Sequence, residues 1–430
     1  MAWPTSVKVE FGIGVDPTVD YLVFDDADRG LFGTGTLAPE AGVWTDVSAA
    51  APVLSISTRR GRQRLLEAYS RGTCTVVFDD TTGLLTPHNT ASSYYPYVRP
   101  EIRMRVSVTH NGTQRWLFHG FVDSILPVFP RTDGGPRTVV IQATDAFKVL
   151  ARFDPPAASS PSGAGELSGA RINRILDLAG WPAGDRDVDA GLSTMQATTL
   201  AQNSLTELQL TADSEFGELY VNAEGKVTFR DRHARYEDSV SQTVQATFTD
   251  ANTAGVLHYQ SLDVPEYDAE LVKNTVSIAA VGGEAQTASD ATSQARYFDR
   301  SWNRHDLIHD GGNDASDAYA DRVVFFSKDP EQRVDGIRLK GLSGSPNGLW
   351  AAMYGLDFGH RVHATRTLTG DDLSLDLYVE GIDHTISQQG EGYQFETTLR
   401  TSSAARVDAG MFIFDSATFG KLDTGTLAAY

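Results

Sequence analysis

The sequence predicts a mainly β protein with a small α+β insert, and three observations support this fold class. Apolar and polar residues alternate without a break from residue 102 to 108, which is the period-two pattern of a strand with one buried face. Asn111-Gly112 follows, and this pair favours a hairpin because a type I′ turn needs two residues at positive φ. Two segments with apolar residues at helical spacing lie between residues 167 and 235, which places two helices in the insert.

The first β-rich domain is expected over residues 51–153, after an N-terminal extension over residues 1–50 that holds one strand at 7–13. Asp145 is expected to cap a short helix that ends at Leu150. The remaining strands of this domain are predicted at residues 73–78, 102–108, 115–123 and 138–144.

A linker rich in proline, serine and glycine is predicted over residues 154–166, and it leads into a small α+β domain over 167–235. Ser168 is a plausible N-cap of the first helix in this domain, and Gly180 is expected to end that helix. A second helix is predicted over residues 204–216. A hairpin of residues 218–222 and 226–230 follows.

A second β-rich domain is expected over residues 236–401, followed by a C-terminal extension over 402–430. One helix interrupts its strands, because apolar residues between 315 and 326 share a face and Pro330 follows. The strands are predicted at residues 242–248, 275–280, 336–342, 361–366, 373–382 and 393–401.

Residues 24–38 and 414–428 are related, since nine of their fifteen aligned positions are identical. One interpretation is a turn-rich peptide that packs on the surface of its own chain. The other is a docking segment that pairs with a neighbouring subunit or partner, as peptides that extend sheet edges do. In the second case the apolar residues near each end are interface candidates: Phe24, Leu37, Phe414 and Leu427.

The formal net charge of −20 argues against a nucleic-acid-binding surface, although not against a pore through which nucleic acid slides. No run of 18 apolar residues is present, so no membrane span is expected. The N-terminus does not have the pattern of a signal peptide, and the single cysteine, Cys74, fits synthesis in a reducing cytoplasm.

One basic cluster stands out in this acidic chain, and it consists of Arg59, Arg60, Arg62 and Arg64. Contact with nucleic acid is one interpretation. We favour an exposed loop that pairs with the acidic surface of a sister subunit, because opposite charges steer association.

A search for catalytic chemistry gives only weak candidates. His305 and His309 are four residues apart, but glycines follow and the segment is loop-like, so we expect no metal site there. Paired carboxylates such as Asp79-Asp80 lie in predicted turns, where aspartate is favoured for its own hydrogen bonds. We therefore expect a protein that is not an enzyme, with no catalytic residues, no cofactor and no metal.

The order of several short motifs gives a resemblance that continues downstream over most of the chain. A basic segment precedes a strand that ends in the acidic turn at 79–80. Thr86-Pro87-His88-Asn89 and Tyr95-Pro96-Tyr97-Val98-Arg99-Pro100 come next, then the alternating strand and Phe118-His119-Gly120-Phe121-Val122-Asp123. This order resembles the minor tail proteins of long-tailed phages of actinobacteria, which are similar to the tail-tip or baseplate hub family.

The resemblance implies two β-barrel-like hub domains joined by a helix-containing domain. It also implies a homotrimeric ring that closes the tail tube at the virion tail tip, made in the cytoplasm of the bacterial host. The implied partners are the distal tail protein, the tape-measure protein and other minor tail or receptor-binding proteins. The genome would pass through the lumen, and no sequence-specific contact with nucleic acid is implied.

Three alternatives stay open. The hub of a contractile injection machine is expected to share the fold and symmetry. A tail-associated cell-wall hydrolase would need a catalytic constellation that the sequence does not display. A carbohydrate-binding or receptor-binding module would use exposed tyrosines such as Tyr94, Tyr95 and Tyr97, for which we favour packing and turn roles.

Overall fold

The computed structural model describes residues 6–13, 44–129, 137–156, 159–251, 256–265, 271–330, 333–342, 344–368, 371–390 and 392–404. The repeated peptides 24–38 and 414–428, with Phe24, Leu37, Phe414 and Leu427, lie outside these residues. Part of the predicted linker lies outside them as well.

The first part of the chain is built from strands and one short helix. These are β1 (Ser6–Gly12), β2 (Trp44–Asp46), β3 (Val53–Gly61), β4 (Ser70–Asp79), β5 (Arg103–His110), β6 (Thr113–Val128), β7 (Thr138–Thr144) and α1 (Ala146–Leu150). The strand predicted at 138–144 and the helix that ends at Leu150 have the predicted bounds. The Asp145 carboxylate caps α1 by accepting from Phe147 N at 3.0 Å, as predicted.

The middle of the chain mixes helices with short strands. Its elements are β8 (Glu166–Leu167), α2 (Ser168–Leu178), β9 (Arg186–Val188), β10 (Thr194–Met195), α3 (Ser204–Glu215), β11 (Glu218–Val221), β12 (Val227–Arg230), α4 (Ala234–Glu237) and α5 (Ser239–Gln242). The predicted cap of α2 is off by one position. Leu167 is the N-cap, and the Ser168 hydroxyl instead donates to the buried carboxylate of Glu215.

The last part returns to β-structure. Its elements are β13 (Val244–Thr249), β14 (Leu257–His258), β15 (Ser261–Asp263), β16 (Thr275–Ala280), β17 (Gln286–Ser289), α6 (Ala291–Tyr297), β18 (Ser301–Leu307), α7 (Gly312–Ser327), β19 (Gly336–Gly341), α8 (Asn347–Gly355), β20 (Arg361–Leu368), β21 (Asp371–Gln389) and β22 (Gly392–Ser403). The sequence did not predict β3, β17, β18, α6 or α8, nor the shorter elements β2, β8, β9, β10, β14, β15, α4 and α5.

The mainly β fold with a small α+β insert is confirmed, and most described strands of the two β-rich parts join in one 14-stranded sheet, while β16, β17 and β18 form a sheet of their own. Its order is β14-β13-β20-β21-β3-β4-β7-β6-β5-β1-β2, with β22, β19 and β15 branching from β21. The two parts meet where β3 pairs antiparallel with β21, with Thr58 opposite His384. Among the described strands this path does not close into a barrel. The predicted domain boundaries stay predictions.

The core of the first part follows from the alternation of its strands. Cys74, Val76 and Phe78 of β4 point inward, and Val76 lies opposite the buried Ile141 of β7. The predicted hairpin is confirmed, because Asn111 and Gly112 both have positive φ, at 49° and 76°. Burying such a row of side chains is the main favourable contribution to folding.

Residues 275–327 form a small unit of their own inside the second β-rich stretch. The sheet β17-β16-β18 packs against α7 through Val276, Ile278, Tyr319 and Val323. In the described ranges, none of the helices is both long and apolar enough to span a bilayer.

Candidate functional site: a buried ionic junction

Four charged side chains from three distant parts of the chain meet in the interior. They are Arg62, just after β3, Glu218 at the start of β11, Arg235 in α4 and Glu380 in β21. We call these four residues the ionic junction. The junction therefore ties the first β-rich part, the α+β insert and the second β-rich part together.

The geometry of the ionic junction is that of a closed set of charge-assisted hydrogen bonds. Arg62 Nε donates to Glu380 Oε2 at 2.7 Å, and Arg62 Nη2 donates to Glu218 Oε1 at 2.5 Å. Arg235 Nη2 lies 2.6 Å from Glu218 Oε1 and 2.8 Å from Glu380 Oε1. Two guanidinium groups thus face two carboxylates, so the buried charges balance.

Three of the four junction residues are buried, and burial affects the pKa of Glu380. Glu380 is fully buried, and Arg62 and Arg235 are 8% and 9% exposed. Burial alone would raise the pKa of Glu380, but Arg235 and Arg62, together with the hydroxyl of Ser402, lower it to about 2. Glu380 is therefore ionised at neutral pH, and each of its two carboxylate oxygens contacts a guanidinium group.

Two glycines, Gly61 and Gly381, leave room for the close contacts around the ionic junction. Gly61 has a φ of 97°, and a Cβ at this position would lie 2.4 Å from the carbonyl oxygen of Glu380. A Cβ on Gly381 would lie 2.3 Å from Arg400 Nε. Glycine at position 61 lets β3 approach the backbone of β21, so that the side chain of Arg62 reaches Glu380, and glycine at position 381 leaves room for the side chain of Arg400.

The basic cluster of the sequence is not an exposed loop, which corrects our expectation. Arg59 and Arg60 lie in β3, and the buried Arg60 donates to Asp357 Oδ1 at 3.2 Å. Arg62 belongs to the ionic junction. Arg59 is exposed and Arg64 is half-buried, so a role for these two in an assembly interface stays a prediction.

An outer ring of contacts surrounds the junction. Arg400 of β22 pairs with Asp383 through Nη1 at 2.7 and 2.6 Å, and its Nε donates to the backbone oxygen of Arg62 at 3.1 Å. The guanidinium of Arg62 lies 4.4 Å from the ring centroid of Tyr69, at cation–π distance. Burial raises the pKa of Tyr69 well above its usual value, so its hydroxyl stays protonated.

The other sequence candidates are dispersed. His305 lies in β18 rather than in a loop, and its Nε2 is 2.9 Å from Ser277 Oγ. His309 is buried and its Nε2 is 3.2 Å from Ser316 Oγ, so the two histidines contact different serines. Within the described ranges, no group of three or more potential ligands could hold a metal ion.

The acidic turn after β4 has a structural role. The carboxylate of the fully buried Asp80 accepts from Leu85 N and from Thr86 Oγ1, each at 3.0 Å, and so fixes the turn. Tyr95 and Tyr97 are 46% and 38% exposed, whereas Tyr94 is half-buried against the core.

Sequence reasoning found only one member of the ionic junction, Arg62, and gave it a different role. Glu218, Arg235 and Glu380 are far apart in the sequence, and no catalytic or metal-binding motif includes them. One signal was available for Glu380, because a carboxylate next to Tyr378 and Val379 in an apolar strand needs a buried partner. The sequence does not say which arginine that partner is.

Comparison with known proteins supplies a fold relationship. No protein-family model and no curated protein matches the chain. The fold is similar to that of the tail protein from Neisseria meningitidis MC58, with a TM-score of 0.56 and 13% identity over 92% of this chain and 96% of that chain. It is also similar to the 43 kDa tail protein of prophage MuSo2 from Shewanella oneidensis, with a TM-score of 0.54 and 12% identity over 92% and 98%. At this identity the likeness shows a shared fold.

Proposed function

We propose that this chain is a structural protein of a phage tail and forms the hub at the tail tip. The observation that carries the proposal is the fold shared with a tail protein from Neisseria meningitidis and a prophage tail protein from Shewanella oneidensis, over nearly the whole length of all three chains. Fold alone does not determine function. The sequence resemblance to minor tail proteins supports the same assignment independently.

In this proposal three copies form a ring that closes the tail tube. Each chain brings two β-rich parts joined at β3 and β21, so a threefold ring would present six similar units to a sixfold tube. The ionic junction suits a ring subunit, because it holds the three portions of each chain in a fixed arrangement with its charges paired. A rigid subunit loses less conformational freedom on assembly.

The proposed location is the virion tail tip of a long-tailed phage, with an actinobacterial host. The proposed partners are the distal tail protein, the tape-measure protein and receptor-binding or other minor tail proteins. The net charge of −20 per chain favours an acidic lumen through which the genome passes without being retained.

We also propose that the role is structural and not catalytic. The two arginines and two glutamates of the junction neutralise one another. This suits a structural connection between parts of the chain better than catalysis, which would need an acid and a base with separated pKa values. A zymogram on cell walls of the host tests this point. We expect no clearing, whereas clearing by the purified chain would contradict it.

The mass of the purified protein in solution tests the trimer. Three chains of 46.6 kDa give about 140 kDa, and light scattering should report this value. Variants with Arg59 and Arg64 changed to serine would show whether these residues contribute to the contact. A mass of one chain at all concentrations would contradict a trimer that forms without other tail proteins.

A further inference from the structure

Two connected cavities lie beside the ionic junction. The smaller has a volume of about 160 Å³ and is lined in part by Arg62, Glu218 and Arg235. The larger has a volume of about 360 Å³. Leu65, Leu66, Trp302 and Phe326 line both, so the two cavities adjoin, and we call them together the Trp302 groove.

The chain itself enters the Trp302 groove at the end of β22. Thr401, Ser402 and Ser403 line the larger cavity. The next residue, Ala404, is fully buried and packs with Tyr236 and Tyr378. The last described residues are therefore directed into the groove rather than toward solvent.

The residues that follow have the composition of an occupant for such a groove. After a short stretch from Ala405 to Gly410 comes the apolar run Met411-Phe412-Ile413-Phe414. Ala404 itself is helical, and the ten residues after it span roughly 15 Å as a helix and at most roughly 33 Å when extended. Four adjacent large apolar side chains are costly to leave in water, whereas the walls of the groove offer leucine, tryptophan and phenylalanine.

We propose that residues 405–414 lie in the Trp302 groove of their own chain, with the run Met411–Phe414 against Leu65, Leu66, Trp302 and Phe326. The docked segment fixes where the repeated peptide 414–428 begins. That peptide is then presented from the side of the ionic junction, where a neighbouring protein can bind it.

The N-terminal copy of the repeat is a poorer occupant. It also follows an apolar run, Tyr21-Leu22-Val23-Phe24. However, its described neighbours, β1 and β2, lie at the far end of the sheet path, many strands away from β21 and β22. The end of β22, in contrast, lines the groove. This inference does not depend on the proposed function, since it concerns contacts within one chain.

Truncation and a synthetic peptide test the proposal, with Trp302 as the reporter. A chain that ends at Ala404 should keep its far-ultraviolet circular dichroism but show Trp302 more open to quenching by iodide. A peptide of residues 405–416 should bind this truncated chain saturably and restore the protection. The same peptide should bind the full-length chain roughly tenfold more weakly or worse, because the groove is already occupied.

Three variants assign the signal. In the truncated chain, Trp302→Phe should remove the fluorescence change while the peptide still raises the melting temperature. Leu66→Arg should weaken peptide binding by roughly tenfold or more. The matched control is Leu178→Arg, because Leu178 is exposed on α2 outside both cavities, and it should bind the peptide normally.

Four results would overturn the proposal. The peptide would fail to bind the truncated chain, or it would bind the full-length and truncated chains equally well. A peptide of residues 20–31 would bind in preference to residues 405–416. Finally, truncation would convert an oligomer into monomers that the peptide reassembles, which would place the segment in the groove of a neighbouring copy.

Discussion

The sheet around β4 and β7 and the ionic junction are both buried, but different physical terms hold them together. The sheet buries rows of apolar side chains such as Val76 and Ile141, whose pattern is local in the sequence. The junction buries Arg62, Arg235 and Glu380 beside the half-buried Glu218, and its Arg62–Glu380 contact joins residues 318 positions apart. Each buried apolar side chain contributes to stability by its own burial. The junction contributes only while all four of its charged residues are present.

The two regions should therefore differ in how well they tolerate substitutions. A core of apolar side chains tolerates conservative changes because neighbours repack. A buried ion pair contributes little net stability, but the loss of one partner leaves a charge without compensation. We therefore expect the junction to be the more sensitive of the two regions, and variants of both regions test this.

The largest effect is expected from Glu380→Ala, which leaves Arg62 and Arg235 with one fewer buried partner. We expect the free energy of unfolding to fall by about 3–5 kcal/mol, measured by urea denaturation. The matched control is Glu224→Ala, because Glu224 is exposed and its carboxylate forms a surface ion pair with Lys226, and we expect a change within about 0.5 kcal/mol. Equal losses in both variants would remove the distinction between the junction and an ordinary surface pair.

Acid should weaken the junction in a defined window. The folded-state pKa of Glu380 is lowered to about 2 from 4.5, so its ionised form stabilises the native state above pH 4.5, and this contribution is lost as the pH falls toward 2. The difference in unfolding free energy between the wild type and Glu380→Gln should therefore shrink over this window.

The buried His384 should cause a separate loss of stability at a higher pH than Glu380. Burial lowers the pKa of His384 to about 3 from 6.5, so the native state loses stability as the pH falls below 6.5 and His384 protonates more readily in the unfolded chain. Wild type and Glu380→Gln should lose stability in parallel between pH 6.5 and 4.5. Divergence in that range would show that Glu380 has a different pKa.

Phe298 offers a contrast to both regions, because an unfavourable backbone conformation coincides with an exposed side chain. Its backbone has φ 64° and ψ 169°, a region used almost only by glycine, and its side chain is 81% exposed. The buried Asn274 fixes it by donating to the Phe298 oxygen at 2.8 Å and accepting from Arg300 N at 2.8 Å. Phe298→Gly should raise the free energy of unfolding by about 1 kcal/mol, and a loss of stability would show that the ring contributes contacts in the isolated chain.

The smallest effect is expected in the apolar sheet. Ile141 is fully buried in β7, and Ile141→Val removes one methylene group from a core that can partly relax. We expect a loss of about 1 kcal/mol with an unchanged dependence on urea concentration. A loss as large as that of Glu380→Ala would show that the sheet is no more tolerant than the junction.

The same contrast explains what the sequence could predict. The strand at residues 138–144, the Asn111-Gly112 turn and the cap at Asp145 depend on neighbouring residues, and all three are confirmed. The strand β3 was missed because its arginines suggested an exposed segment, although Arg60 turns inward. Helix α8 was missed because a short apolar run around Trp350 does not distinguish a helix from a strand.

The candidate site was beyond sequence reasoning for a different reason. The choice of partners for Glu380 is made by tertiary structure, through the pairing of β3 with β21 and the position of α4. Long-range pairing leaves no periodic signal in a single sequence. The exposed-loop interpretation of Arg60 and Arg62 was wrong for this reason, since charge alone does not reveal burial.

The central claim, a structural hub at the tail tip, is tested most directly by electron cryo-microscopy of purified phage particles whose genome encodes this chain. The account predicts threefold density at the end of the tail tube, into which three copies of the 14-stranded sheet fit around a central channel. Density for the chain in a side fibre, in the capsid or in no part of the particle would contradict it.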